Sequence, residues 1–201
     1  MYSIRLLPLI FQYLVLPALP IKLPVNTSDR NLVNTLELSD IGTFGLMRKE
    51  RPGVPAHYHT GIDIKRPNAN YVNEPIYPVA EGRVISIRRD GPYAQVIVEH
   101  ELNVKFWTIY EHISEIKVSL NDHVDSDSPI ARFMNRKELD RYGWQFDHFH
   151  LEILKEAPLR LERDPVHPDR HYASYTLICH TLEELNTYFY NPLEFLSGQG
   201  N

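Results

Sequence analysis

The chain has 201 residues, 43% of them hydrophobic, enough for one domain with a substantial core. A net charge of −5 and the lack of any basic run exclude an electrostatic footprint for nucleic acid. The single cysteine, Cys179, cannot form an internal disulfide and reads as a small buried apolar residue, so it leaves the redox compartment open.

The elements begin with a contrast. Arg5 precedes an uncharged apolar stretch from Leu6 to Pro20, which is the layout of a secretory signal or an uncleaved anchor. Pro8, Pro17 and Pro20 and the shortness of the run argue against a spanning helix. The competing expectation is an arm packed on the domain, since Leu16 ahead of Ala18 makes a poor cleavage site. Residues 1–24 are therefore set apart as a signal-like or anchor segment, and 25–201 as a single domain. After a lead-in from 25 to 56 with little periodicity, short β-type runs follow at regular spacing: Ile76–Ala80, Arg83–Arg88, Ala94–His100, Val104–Tyr110, Ile113–Leu120 and Ser128–Phe133. The fold class expected is mainly β, an antiparallel sheet. Asn135 with Glu138 and Thr181 with Glu184 have the spacing of capping boxes, predicting two short peripheral helices, the first ending at Gly143. No repeat and no second module is expected.

Four histidines and one aspartate stand in three separated segments: His59-Thr-Gly-Ile-Asp63, Tyr110-Glu-His112 and His148-Phe-His150-Leu-Glu152. On a strand, His148, His150 and Glu152 share one face while Phe149, Leu151 and Ile153 face the core. Gly61 lets the chain bend so that His59 and Asp63 reach one point. His57 competes as a ligand but reads as lying beside the site or in solvent. His112 follows Thr108 and Tyr110, and the alternation puts all three on one face. Glu152 either orients a neighbouring imidazole or is a solvated strand residue. His100, His123, His167, His171 and His180 read as surface or hydrogen-bonded residues. Imidazole and carboxylate are what a catalytic zinc takes, with three protein groups and one open position. Two further histidines supply proton handling and oxyanion stabilisation.

With Phe44-Gly45, Pro75 to Val84 and the closing Asn191 to Leu196 added, this order of motifs resembles the lysostaphin/LytM-type zinc peptidases, the M23 family. The resemblance covers a core of 43–154, leaving 155–201 as a C-terminal extension. It implies an antiparallel β-sheet groove, one Zn2+ per chain held by His59, Asp63 and His150, and catalytic histidines His112 and His148 flanking the metal's water. It also implies a peptide cross-link of bacterial peptidoglycan as substrate, and a place in the cell envelope, periplasmic or secreted. The N-terminal apolar segment would supply any membrane association, and oligomeric state is left open.

Three departures separate the chain from the family pattern. Asn121 to Val124 replaces a glycine-rich turn. A charged helical insert, Asn135 to Tyr142, is expected on the groove rim, with Asp147 adding negative charge near the metal. Residues 155–190 form a further insertion. Two other readings remain open: a family-shaped binding or regulatory module without catalysis, and a cupin-like motif. The latter would recruit His57 and leave His148 and His150 unexplained.

Overall fold

A computed structural model describes residues 21–198. The strands are β1 (Met47–Arg48), β2 (His57–Tyr58), β3 (Ile62–Lys65), β4 (Pro75–Ile76), β5 (Gly82–Arg88), β6 (Gln95–Glu101), β7 (Lys105–Glu111), β8 (His123–Val124), β9 (Ala131–Arg132), β10 (His148–Leu154), β11 (Leu159–Arg160) and β12 (Tyr172–Ala173). Helices α1 (Arg136–Tyr142), α2 (Leu182–Tyr188) and α3 (Pro192–Leu196) lie among and after them. Six strands form the main sheet in the order β3-β10-β7-β6-β5-β8, and every pairing in it is antiparallel. The mainly β, antiparallel class is what the alternating runs imply.

Strand alternation divides the sheet into two faces with different tasks. One face carries Ile62, Ile64, Phe149, Leu151, Ile153, Val96, Val98, Phe106 and Tyr110 into the larger core. The other packs Ile85, Ile97, Trp107, Ile109 and Leu154 against Cys179, Leu185 and Phe189 from the C-terminal extension. The extension thus covers part of the sheet, and Cys179 is buried there as expected. At the far end of the same face the apolar side chains give way to polar ones, in the register Asp63–His150–Glu111–Gln95 across four strands.

Both capping boxes form: the Asn135 side chain accepts from Glu138 N, and that of Thr181 from Glu184 N. The structure departs from sequence expectation at Ile113–Leu120, which is no ladder strand and makes only an isolated bridge at Ser114 to Arg132. Glu115, with φ of 47°, interrupts the extended backbone there. The run from Ile76 likewise shortens to two paired residues, and Val79 N instead donates to the Tyr110 hydroxyl at 2.9 Å. Asn121 takes φ of 70°, so it turns the chain as a glycine would.

Most of the signal-like segment lies outside the described residues. Leu23 and Val25, on either side of the boundary expected at residue 24, are both buried. Among the described residues no helix is long and apolar enough to cross a membrane.

Gly61 decides how closely β3 and β10 approach. A Cβ at this position would stand 2.2 Å from the Leu151 carbonyl oxygen and 2.8 Å from His150 Cε1. Gly61→Ala is therefore expected to destabilise the chain by about 3 kcal/mol, at the upper end of ordinary overpacking. Thermal melting of the variant checks this, and an unchanged midpoint would show that the strands can part without cost.

Candidate metal centre

The structure brings His59, Asp63 and His150 together. His59 Nε2 lies 3.1 Å from Asp63 Oδ1 and 3.0 Å from His150 Nδ1, and His150 Nδ1 lies 2.9 Å from Asp63 Oδ1. Asp63 and His150 are direct cross-strand partners, so the backbone ladder itself holds them side by side. His59 reaches them from just before β3, its backbone fixed by hydrogen bonds with Leu46 O and Gly45 N.

Hydrogen bonds on the outer sides of the rings select the tautomers. His59 Nδ1 lies 2.9 Å from the Thr43 carbonyl, which can only accept, so Nδ1 carries the proton. His150 Nε2 lies 3.0 Å from the Glu152 carboxylate and donates to it. In the neutral rings, lone pairs on His59 Nε2 and His150 Nδ1 then converge with Asp63 Oδ1 at the corners of a near-equilateral triangle. Three electron-rich atoms at this spacing call for a cation. A tetrahedral zinc with bonds of about 2.0–2.1 Å separates its ligands by about 3.3 Å, a little wider than the distances here. The donor set fits zinc in type, number and spacing.

The electrostatics say the same. Burial opposes charge on His150, but hydrogen bonds to Asp63 and Glu152 outweigh it and push the imidazole up to about 10. Burial would raise Asp63, yet His150 and His59 hold its carboxyl well below the usual carboxylate range. Burial lowers His59, which is neutral at pH 7. Without a metal, then, a proton on His150 Nδ1 serves as the cation. A zinc ion bound there would have to displace it. Calorimetry between pH 7 and 9 in buffers of different ionisation enthalpy is expected to show about one proton released per zinc, the release fading above pH 10. Zinc uptake without proton release would place the metal elsewhere.

Arg48, which sequence reasoning passed over, donates from Nη2 to Asp63 Oδ2 at 2.9 Å. It occupies one carboxylate oxygen and leaves the other for the centre. Glu152 is buried and orients His150; it is not a solvated strand residue. His57, also buried, bonds through Nδ1 to Pro55 O at 2.8 Å and takes no part in the cluster, which disfavours the cupin-like reading.

His148 and His112 stand beside the cluster. His148 Nε2 is 3.7 Å from Asp63 Oδ1, and the His112 and His148 rings meet edge-on at 5.3 Å. The strand alternation that grouped His112 with Thr108 and Tyr110 does not hold. β7 ends at Glu111, and His112 takes φ of 63° in the left-handed region, where a non-glycine residue is strained. That kink turns the ring away from the Tyr110 side, to 6.4 Å from His150. Its Nδ1 donates to Pro92 O at 2.6 Å, so Nε2 holds the lone pair. Burial is the main cause that lowers both rings to about 4, so both are neutral at neutral pH.

Helix α1 and the turn after it form a rim, with the Phe146 ring 4.9 Å from His112. A cleft of about 580 Å³ beside His148 is lined by Lys65, Tyr71, Trp144 and Asp147 among others. Asp147 does not bring free negative charge to the centre, contrary to expectation. Arg66 grips it through Nε and Nη2 at 3.0 and 2.8 Å, and the Tyr71 hydroxyl adds a bond at 3.0 Å.

With this geometry in place, the family can be settled. Residues 57–168 match Peptidase family M23. The chain belongs to that family. Similar solved structures include lysostaphin (16% identity, TM-score 0.50), where the match covers 84% of this chain and 53% of that one. Lysostaphin is described as an antimicrobial peptidase from Staphylococcus simulans. A zinc-containing peptidase from Vibrio cholerae is 24% identical with a TM-score of 0.45, over 67% of this chain and 36% of that one. A chain of the SpoIIIAH–SpoIIQ complex is 19% identical with a TM-score of 0.46, over 67% of this chain and 92% of its own. The chain thus spans about half of lysostaphin and about a third of the Vibrio peptidase. At these identities the likeness is one of fold. Comparison with curated proteins finds no matching sequence.

Proposed function

We propose that this M23 protein is a zinc-dependent endopeptidase that hydrolyses peptide cross-links of bacterial peptidoglycan in the cell envelope. The observation that carries the reading is the convergence of two imidazole lone pairs and one carboxylate oxygen within about 3 Å of one another, with two neutral imidazoles alongside. His59, Asp63 and His150 would hold the ion. Bound there, zinc supplies Lewis acidity toward the scissile carbonyl and toward an attacking water.

The remaining steps belong to the chain's own side chains. His112, with Nδ1–H committed to Pro92 O, presents Nε2 as a proton acceptor and serves as the general base. His148, at the edge of the cleft and near Asp63, is placed to stabilise the developing oxyanion through its ring N–H, while His112 returns the proton it has accepted to the leaving amine. The αL kink at His112 fixes the base in place before substrate arrives. The open, shallow cleft suits an extended peptide with small side chains. In this proposal the peptidase domain takes in Lys22–Pro24, which are bonded to it and bury Leu23, as well as residues 25–201, and the apolar segment before them directs or tethers it to the envelope.

Digesting purified peptidoglycan of several cross-link types with zinc-loaded protein, and weighing the released muropeptides, tests the reading. Products cut at a peptide bond are expected, and their loss with a chelator. Binding without cleavage of any cross-link type would favour the inactive-module alternative.

A further inference from the structure

The Glu152 carboxylate, on the strand that carries His150, is buried and has four donors around it. Thr60 Oγ1 donates to Oε1 at 2.6 Å, Thr176 Oγ1 to the same oxygen at 2.5 Å, Ser174 Oγ to Oε2, and His150 Nε2 to Oε1 at 3.0 Å. An ionised carboxylate offers about four acceptor sites and no donor. With three donors on Oε1 and a fourth on Oε2, Glu152 is held in place, and the one hydrogen-bonding part His150 Nε2 can play toward an ionised carboxylate is that of donor. The lone pair of that ring is thereby forced onto Nδ1, the atom facing His59 and Asp63.

Two of the three hydroxyls come from the C-terminal extension. Ser174 and Thr176 lie beyond the residues that match the family. That segment is anchored at both ends, to β5 of the main sheet and to β2. Ser86 Oγ on β5 accepts from the backbone N–H groups of His171 and Tyr172 at 3.0 and 3.1 Å, and Tyr58 N donates to the Cys179 carbonyl at 2.8 Å. Between these anchors, Tyr175 stacks on Tyr188 of α2 with ring centroids 4.1 Å apart. Hydroxyls on so firmly fixed a segment can set the position of another side chain.

We infer that Ser174 and Thr176 of the C-terminal extension are positioning residues for the metal centre, holding Glu152 so that His150 presents Nδ1 to the ion. The inference rests on the metal site proposed above. It makes the extension part of that site, beyond its role as a cover for the second core.

The probe is Co2+ alone, titrated into the full-length chain and read by its d–d absorption, with thermal melting to confirm folding. The Ser174→Ala/Thr176→Val variant is expected to bind Co2+ about 10–100-fold more weakly than the parent and with a shifted band. Thr176→Ser, which keeps the hydroxyl, is expected to match the parent. If the double variant does not fold, Thr176→Val set against Thr176→Ser makes the same comparison. In the zinc-loaded parent, 15N-labelled His150 must carry its proton on Nε2. Variants with the parent's affinity and spectrum, or a proton on Nδ1, overturn the inference alone. A parent chain that takes up no Co2+ overturns the metal site and the inference together.

Discussion

His150→Ala is expected to lose both zinc and hydrolysis. Its ring links two buried carboxylates, bonded through Nδ1 to Asp63 at 2.9 Å and through Nε2 to Glu152 at 3.0 Å. Alanine leaves two ligand atoms, and it takes from buried Glu152 its one charged partner, leaving that carboxylate to its hydroxyl donors while Asp63 keeps Arg48. Removing one member of a buried charged pair costs about 3–5 kcal/mol, so the metal-free variant should melt at lower temperature as well. Metal analysis after dialysis, assay on peptidoglycan and thermal melting read the three effects separately. A His150→Ala chain that keeps its zinc would mean the centre is built from other residues.

His112→Ala and His148→Ala are expected to behave in the opposite way toward the metal. Both should retain zinc, because neither contributes an atom to the cluster of His59, Asp63 and His150. Activity should fall by about 10²-fold or more, the usual worth of a positioned acid or base. Neither substitution leaves a charge unpaired, since both imidazoles are neutral at neutral pH. The fold is therefore expected to survive, though His112→Ala relieves no strain at the left-handed backbone, because alanine keeps its Cβ. Paired measurements of zinc content and hydrolysis rate check the division. Loss of metal in either variant would show that the ligands are misassigned.

How far the site can be read from sequence follows from how far each residue's position depends on local pattern. The alternation of His148 to Ile153 is strict, and the structure turns Phe149, Leu151 and Ile153 inward as read, leaving His148, His150 and Glu152 on the site face. Both capping boxes also follow from spacing alone, because they are local hydrogen-bonding devices. His112 shows where periodicity stops being a guide: one residue with φ of 63° moves its ring off the face that the alternation assigns. No sequence signal distinguishes that kink, since histidine tolerates the left-handed region only occasionally. Glu115 ends an expected strand for the same reason.

Long-range partners were equally hidden. Arg48 meets Asp63 across fifteen positions, and Thr176 meets Glu152 across twenty-four. The choice of Arg66 and Tyr71 as partners for Asp147 rests on how the loop after β3 folds over the rim. An arginine and two hydroxyl residues are common on any surface, and only the packing of distant segments gives them a task. Glu152 was the one such group with a local clue, sharing a strand face with His150.

His59, Asp63 and His150 are expected to share one zinc ion. Diffraction data collected from crystals of the zinc-loaded chain on both sides of the zinc absorption edge test it most directly. A single anomalous peak per chain is expected, within bonding distance of His59 Nε2, Asp63 Oδ1 and His150 Nδ1. A peak at any other group of residues, or none in a folded and zinc-soaked crystal, would contradict it.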